Sequence, residues 1–480
     1  MLVFVNSDFF GIFAHSNTYL IMLHRLSLIT VLAALICLFP SFAVAQTADK
    51  AEKKTKVINH LKEHYRPYGF IRNYFTYDSR ESVSGQADMF NYVPKDFDWN
   101  MTEAEAALSP ELRREDMNAV GSFRFLSLTT RLGLNIVGYE WGKTQFSGKF
   151  EADFYAGLTG VTGVAQFRLR LAYLTLAWDS LSVGKEWARV SLTLGQDWHP
   201  MAADLCDVLS LNTGAPFSPF SRTPQVRMEA RLTPWFMLSA AALWQMQYVS
   251  AGPKGMSADY IKYSKTPEAY LGLNFMHSDA FLLRLGVDML SISPRHEGTV
   301  SGSGGQEVRV RVNDRLTTIS PFAFMRYSVG DFSVKVKTIF AESGEHMSLC
   351  GGYGVSKINA DGSWEYTPTR NSSTWISLTY GRQVKGVLFA GYVQNFGTKT
   401  SVVGADHLYF NKNMFASIHR LWRLSPALVW TIGPFQLGAE YELTSAQYGT
   451  GTMDLSKGLF MDNLHWVYNH RVQLITKFNF

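Results

Sequence analysis

The sequence predicts an all-β fold, a transmembrane antiparallel barrel of about 16 strands with long extracellular loops and short periplasmic turns. Three observations predict it. Apolar and polar side chains alternate with a period of two along most of the chain, connections alternate between tight and long, and beyond residue 45 no apolar stretch reaches the 18 residues of a membrane helix. Composition agrees: 14% of the 480 residues are aromatic while only 18% are charged, and the mean hydropathy of -0.05 is that of a chain whose greasy face is balanced by a wet one. A formal charge of +5 over this length offers no concentrated field for a phosphate backbone, so nucleic acid is not an expected partner.

The elements follow in chain order. His24-Arg25, the apolar run 26–39 and the small-x-small end Ala43-Val44-Ala45 are the three parts of a secretory signal peptide, with cleavage after Ala45 and residues 1–45 removed. Residues 1–20 carry no Lys or Arg, so the true start is expected at Met22. Cys37 lacks the small residue before it that lipid attachment needs, and residues 46–68 read as a short periplasmic segment ahead of a barrel domain spanning 69–480. Strands are expected at 69–78, 122–137, 144–156, 166–178, 187–196, 223–233, 235–248, 266–277, 280–293, 306–327, 331–343, 373–382, 385–396, 418–432, 434–447 and 468–480.

The third strand sets Phe146, Gly148, Phe150, Ala152 and Phe154 against Ser147, Lys149, Glu151 and Asp153. Val226, Met228 and Ala230 oppose Arg227, Glu229 and Arg231, and Val334 and Val336 oppose Lys335 and Lys337. Tight connections at Thr233-Pro234, 328–331 and Gly433-Pro434 alternate with long ones at 79–121, 197–222, 344–372 and 448–467. Tyr139, Trp141, Trp178, Trp235, Trp375, Tyr392 and Trp422 lie near strand ends, where interfacial rings belong. Phe478 and the terminal Phe480 close the last strand in the manner of the signal read by the barrel-insertion machinery. Cys206 and Cys350 are left either paired or as two buried thiols.

Gly69-Phe70-Ile71-Arg72, Thr130-Arg131-Leu132-Gly133, Gly148 to Phe154, Phe167-Arg168-Leu169-Arg170, Leu194-Gly195-Gln196-Asp197-Trp198 and Pro224-Gln225-Val226-Arg227 occur in this order. Together they resemble the DcaP-like outer-membrane channels over nearly the whole mature chain, and the C-terminal half is similar to porin-like proteins of the Bacteroidetes. The resemblance implies a homotrimeric, sixteen-stranded porin in outer-membrane lipid, admitting small anionic solutes such as dicarboxylates. It also implies an N-terminal coiled coil, for which residues 50–65 offer only Val57, Ile58 and Leu61 as an apolar stripe.

Parity places Arg131, Lys149, Arg168, Arg170, Arg227, Arg231, Arg284, Lys335, Lys337, Arg471 and Lys477 on the inner face, against Glu151, Asp153, Glu229, Glu268, Asp288, Glu440 and Glu442. The cationic excess favours anions; alternatively the charges pair across strands and only keep the lumen wet. The 197–222 connection, rich in small residues and carrying Asp197, Trp198, His199, Asp204, Asp207 and Arg222, is the expected constriction loop, or else an outward surface loop. No catalytic or metal-binding motif and no cofactor is expected; Glu342, Glu345 and His346 cluster in a long loop and read as solvated charge, with cation binding the alternative. The expected function is passive diffusion of small hydrophilic anions. A surface binding or adhesion protein, and a barrel-borne hydrolase using Asp197 and His199, are the alternatives.

Overall fold

A computed structural model describes residues 59–85, 90–127, 129–155, 166–183, 186–411 and 416–480; the signal peptide and its cleavage site at Ala45 lie outside them. The barrel strands are β1 (Tyr65–Asp78), β2 in two pieces (Ser122–Leu126 and Arg131–Trp141), β3 (Thr144–Tyr155), β4 (Gln166–Val183), β5 (Glu186–Trp198), β6 (Arg222–Thr233), β7 (Phe236–Leu243) and β8 (Glu268–His277). The second half is β9 (Phe281–Ile292), β10 (Leu316–Val329), β11 (Phe332–Glu342), β12 (Trp364–Gly381), β13 (Val384–Thr398), β14 (Ile418–Ile432), β15 (Phe435–Asp454) and β16 (Leu459–Asn479). Each pairs antiparallel with its sequence neighbours, and β1 pairs with β16 from Phe70↔Asn479 to Asp78↔Arg471, so the sixteen strands close on themselves. No described helix is long and apolar enough to cross a membrane.

Alternation decides which side each residue faces. Leu271 and Leu474 are 60% and 54% exposed on the outside, while Glu442 and Arg471, one position out of phase, are 1% exposed on the inside. This inversion of a water-soluble core fits a sheet whose outer solvent is hydrocarbon. Tight turns rely on left-handed residues, with Gly330 at φ 56° and Gly433 at φ 57°; a side chain there would be strained. β2 breaks at Thr129, φ 69°, whose hydroxyl accepts Arg72 Nε and Nη2 at 3.2 and 2.9 Å.

Several expected boundaries move. The strand expected over 306–327 is a hairpin, Glu297–Ser301 with Glu307–Arg311, followed by β10. The connection expected over 448–467 is mostly strand, because β15 and β16 keep pairing as far as Asp454↔Leu459. β12 starts at Trp364 and β1 at Tyr65, both earlier than alternation suggested, and β7 stops at Leu243. Beyond the bilayer, strand pairing no longer needs one apolar face, so the pattern stops marking strand ends. Trp375, expected in an interfacial band, points inward and is 1% exposed between Phe324 and Phe389.

The core lies inside the barrel. Phe90, Tyr92, Met201, Phe217, Phe220, Met347 and Leu349 come from three connections and pack with Tyr74, Trp375 and Phe389 of the wall. The closing seam is held by Arg471, whose Nε and Nη2 each donate at 2.8 Å to the two oxygens of Asp78 across β1 and β16. Removing one partner leaves the other charge buried and unpaired, which typically costs about 3–5 kcal/mol. Asp78→Ala is therefore expected to lower the temperature at which the folded band is lost on unheated versus heated gels; an unchanged transition would show that the seam does not depend on this pair.

Candidate functional site

The connection from β5 to β6, residues 199–221, folds into the barrel and is fixed by side chains from the inner faces of six strands. On β15, Glu440 Oε2 accepts the amides of Leu209 and Ser210 at 2.5 and 3.2 Å, and Glu442 Oε2 accepts Asn212 Nδ2 at 3.1 Å. On β14, Arg423 Nη1 donates to Ala215 O at 2.9 Å; on β12, Ser373 Oγ donates to Phe217 O at 2.6 Å. Lys337 Nζ on β11 donates to Met201 O and Asp204 O at 2.7 and 2.8 Å, Arg284 on β9 meets Asp204 at 2.7 Å, and Lys335 meets Asp207 at 2.9 Å. His199 completes the set against Glu268 of β8. Glycine lets the loop pass close to the wall: a Cβ on Gly391 of β13 would sit 2.6 Å from the ring of Phe217, and within the loop Gly214, at φ 87°, leaves no room for a side chain beside Cys206 Sγ.

The opposite wall, β2 to β6, carries a ladder of charge. Arg131 is 3.3 Å from Glu151; Arg170 bridges Glu151 and Asp153 at 2.8 and 2.6 Å; Arg168 forks onto Asp153 at 2.9 and 3.0 Å. Arg227 Nη2 meets Asp197 Oδ2 at 3.0 Å, Glu229 stands 3.8 Å from Arg227, and Arg231 donates to Pro234 O at 2.7 Å. Arg222, 1% exposed, donates to Gln247 at 2.8 Å and lies over the rings of Trp198 and Phe220. Lys149 sits 5.3 Å over the ring of Tyr68, whose hydroxyl donates to Glu151 at 2.8 Å.

Two cavities border this ladder. One of about 570 Å³, near the β2–β3 and β6–β7 turns, is lined by Tyr139, Gln145, Arg189, Glu229 and Arg231. Another of about 330 Å³, toward the long loops, is lined by Phe90, Tyr92, Arg168, Arg222 and Tyr248. Register along β6 sets Arg231, Arg227 and Arg222 in that order from one cavity to the other.

Residues grouped by sequence separate in space. Asp197 joins Arg227, Trp198 packs against Phe220, and His199 turns away to Glu268 and Asp288, so Asp197 and His199 are held by different partners. Lys337 is fully buried beneath the loop, because main-chain carbonyls claim its amine, and so cannot face an open lumen as expected. Arg284 and Lys335 anchor the loop through Asp204 and Asp207. Glu342, Glu345 and His346 are buried, not solvated, since their loop folds inward; Phe220 N donates to Met347 O. Arg423 and Arg72 were missed, although alternation around Trp422 and Ile71 already placed them on the inner face. Asn91 and Gln247 sit in connections with no period to reveal them.

Cys206 and Cys350 are buried and form no disulfide with each other. Burial pushes each thiol up to about 12, so at pH 8 the reactive thiolate is scarce as well as shielded. Maleimide is expected to label neither Cys206 nor Cys350 in the folded protein and both after denaturation; one rapid equivalent in the folded protein would contradict this packing.

No family model and no curated protein matches the chain. Among solved structures, it is similar to the outer membrane channel DcaP of Acinetobacter baumannii, with a TM-score of 0.59 at 16% identity, over 87% of this chain and 97% of that one. OmpT of Vibrio cholerae gives a TM-score of 0.47 at 10% identity over 87% and 97%. The anion-selective porin of Comamonas acidovorans gives 0.46 at 9% identity over 87% and 99%. This chain, a closed sixteen-stranded antiparallel barrel, shares the fold of the DcaP channel.

Proposed function

We propose that the chain is a porin of the bacterial outer membrane, exported by a signal peptide cleaved after Ala45, inserted through a C-terminal signal that includes Phe478 and Phe480, and assembled as a homotrimer. It passes small hydrophilic solutes by diffusion, without enzymatic chemistry, and prefers small anions of the dicarboxylate type. The observation that carries this reading is the arginine ladder on the inner face of β2 to β6, of which Arg231 lines one cavity and Arg168 another.

Pairing across strands lowers the charge of that wall without cancelling it. Glu151, Asp153, Asp197 and Glu229 stand against Arg131, Lys149, Arg168, Arg170, Arg222, Arg227 and Arg231. Guanidinium planes can also offer two donors to one carboxylate, which a point charge cannot. The loop 199–221 acts as the constriction, filling the lumen from the β8–β15 side and directing solute along the ladder. A second reading, a surface binding protein, draws on a cavity of about 660 Å³ among the loops, lined by Lys254, Tyr263, Arg295, His296 and Trp364.

Single-channel recording of the refolded protein in a planar bilayer under a salt gradient separates these readings. Stepwise conductance with an anion-favouring reversal potential is expected, and the double variant Arg168→Gln, Arg227→Gln is expected to reduce the anion-to-cation permeability ratio several-fold. Cation preference would retain the channel and sink the charge argument, whereas no conductance from correctly folded barrels would favour surface binding.

A further inference from the structure

A second cluster of ionisable side chains stands apart from the arginine wall, where the inserted loop begins. His199 opens that loop, Glu268 opens β8 and Asp288 lies in β9; they are 0%, 0% and 2% exposed. One ligand-capable atom from each lies within 4.8 Å of the other two. His199 Nε2 is 2.9 Å from Glu268 Oε1 and 3.7 Å from Asp288 Oδ1, and His346 Nε2, from the connection after β11, reaches the same Glu268 oxygen at 3.1 Å. Glu268 Oε2 and Asp288 Oδ1 are fully buried and accept no hydrogen bond. Among the described residues the two carboxylates meet the imidazoles of His199 and His346 and form no ion pair with a Lys or Arg. Two neighbouring buried carboxylates with free lone pairs are costly unless a cation takes them.

We propose that His199, Glu268 and Asp288 bind one divalent metal ion of the zinc class, with His346 orienting Glu268 from outside the coordination sphere. An imidazole with carboxylates suits zinc, whereas calcium and magnesium favour all-oxygen sets. At the usual bond lengths a tetrahedral zinc site has ligand–ligand edges of about 3.3 Å; the two edges from His199 Nε2 are 2.9 and 3.7 Å, and all three ligand atoms lie within 4.8 Å of one another. Met201 N donates to His199 Nδ1 at 3.2 Å, which puts the imidazole proton on Nε2. Loading displaces that proton: the 2.9 Å bond from Nε2 to Glu268 gives way to coordination of one ion by both groups, and the neutral ring carries its proton on Nδ1 at the cost of the Met201 contact. The ion then ties the start of the inserted loop to the β8–β9 wall, beside the point where Lys337 holds Met201 O.

Detergent-purified full-length protein, stripped with EDTA and titrated with zinc alone by calorimetry, tests this. About one equivalent is expected, with a cobalt-loaded sample showing the intense visible bands of a tetrahedral site. Asp288→Asn, nearly isosteric, should abolish stoichiometric uptake, and His346→Gln should weaken affinity roughly tenfold. Asp259→Asn, on an exposed loop helix, should change nothing. His199→Gln replaces Asp288→Asn if that variant fails to give a heat-modifiable folded band. No stoichiometric zinc in the wild type, or one equivalent retained by both Asp288→Asn and His199→Gln, overturns the assignment.

Discussion

In hydrocarbon, a main-chain N–H or C=O without a partner costs several kcal/mol, and a sheet meets that demand only by closing. The pairing of β1 with β16 is therefore the constraint on which the rest depends. It fixes an even strand number, brings the terminal Phe480 back to Gly69 through reciprocal amide–carbonyl bonds of 3.0 Å, and places both ends at the short-turn rim. Closure also sorts the side chains. With a period of two and no edge at which a strand could slip, Val472 and Leu474 must face outward once Arg471 and Gln473 face inward.

An inner face so densely charged must then be either solvated or paired. The two halves of the barrel answer differently. From β8 to β15 the inward charges are spent on the loop 199–221: Glu440 accepts its amides, Lys337 and Arg423 take its carbonyls, and Arg284 and Lys335 neutralise Asp204 and Asp207. Those contacts satisfy loop backbone groups that would otherwise be buried and orphaned. From β2 to β6 the charges bond chiefly to one another, as when Arg168 and Arg170 share Asp153.

The sequence carried the strands and their faces because two solvents of opposite character sit on the two sides of one sheet. Where that contrast ends, legibility ends too. Val300, Val308 and Val310 alternate as well as any membrane strand, yet they belong to a hairpin outside the main sheet. The loop contacts were legible only in part: small residues and Asp204, Asp207 and Arg222 marked 197–222 as unusual, but Asp204 finds Arg284 80 positions away and Glu268 finds His346 78 away. No period links such residues, and only barrel closure brings them together. Glu345 and His346 looked solvated for the same reason, since polarity reports a need for partners and not where those partners are.

Under the proposed function, selectivity would follow from combining the two halves, and each step of permeation along the ladder is part of that proposal. A modest excess of fixed charge on a wide aqueous wall would be screened, because at physiological salt the potential decays over about 8 Å. Packing the loop against the β8–β15 side narrows the space left beside the arginines. Neutralising Arg284 and Lys335 with loop carboxylates also prevents two opposed cationic walls from holding an anion too tightly to release it. In that reading Arg231 and Arg227 would form successive sites, each partly satisfied by Pro234 O or Asp197. An anion that replaces such a partner gains a charge-assisted contact and gives one back, which keeps each step shallow. Passage along the ladder therefore depends as much on the acids that moderate it as on the arginines themselves.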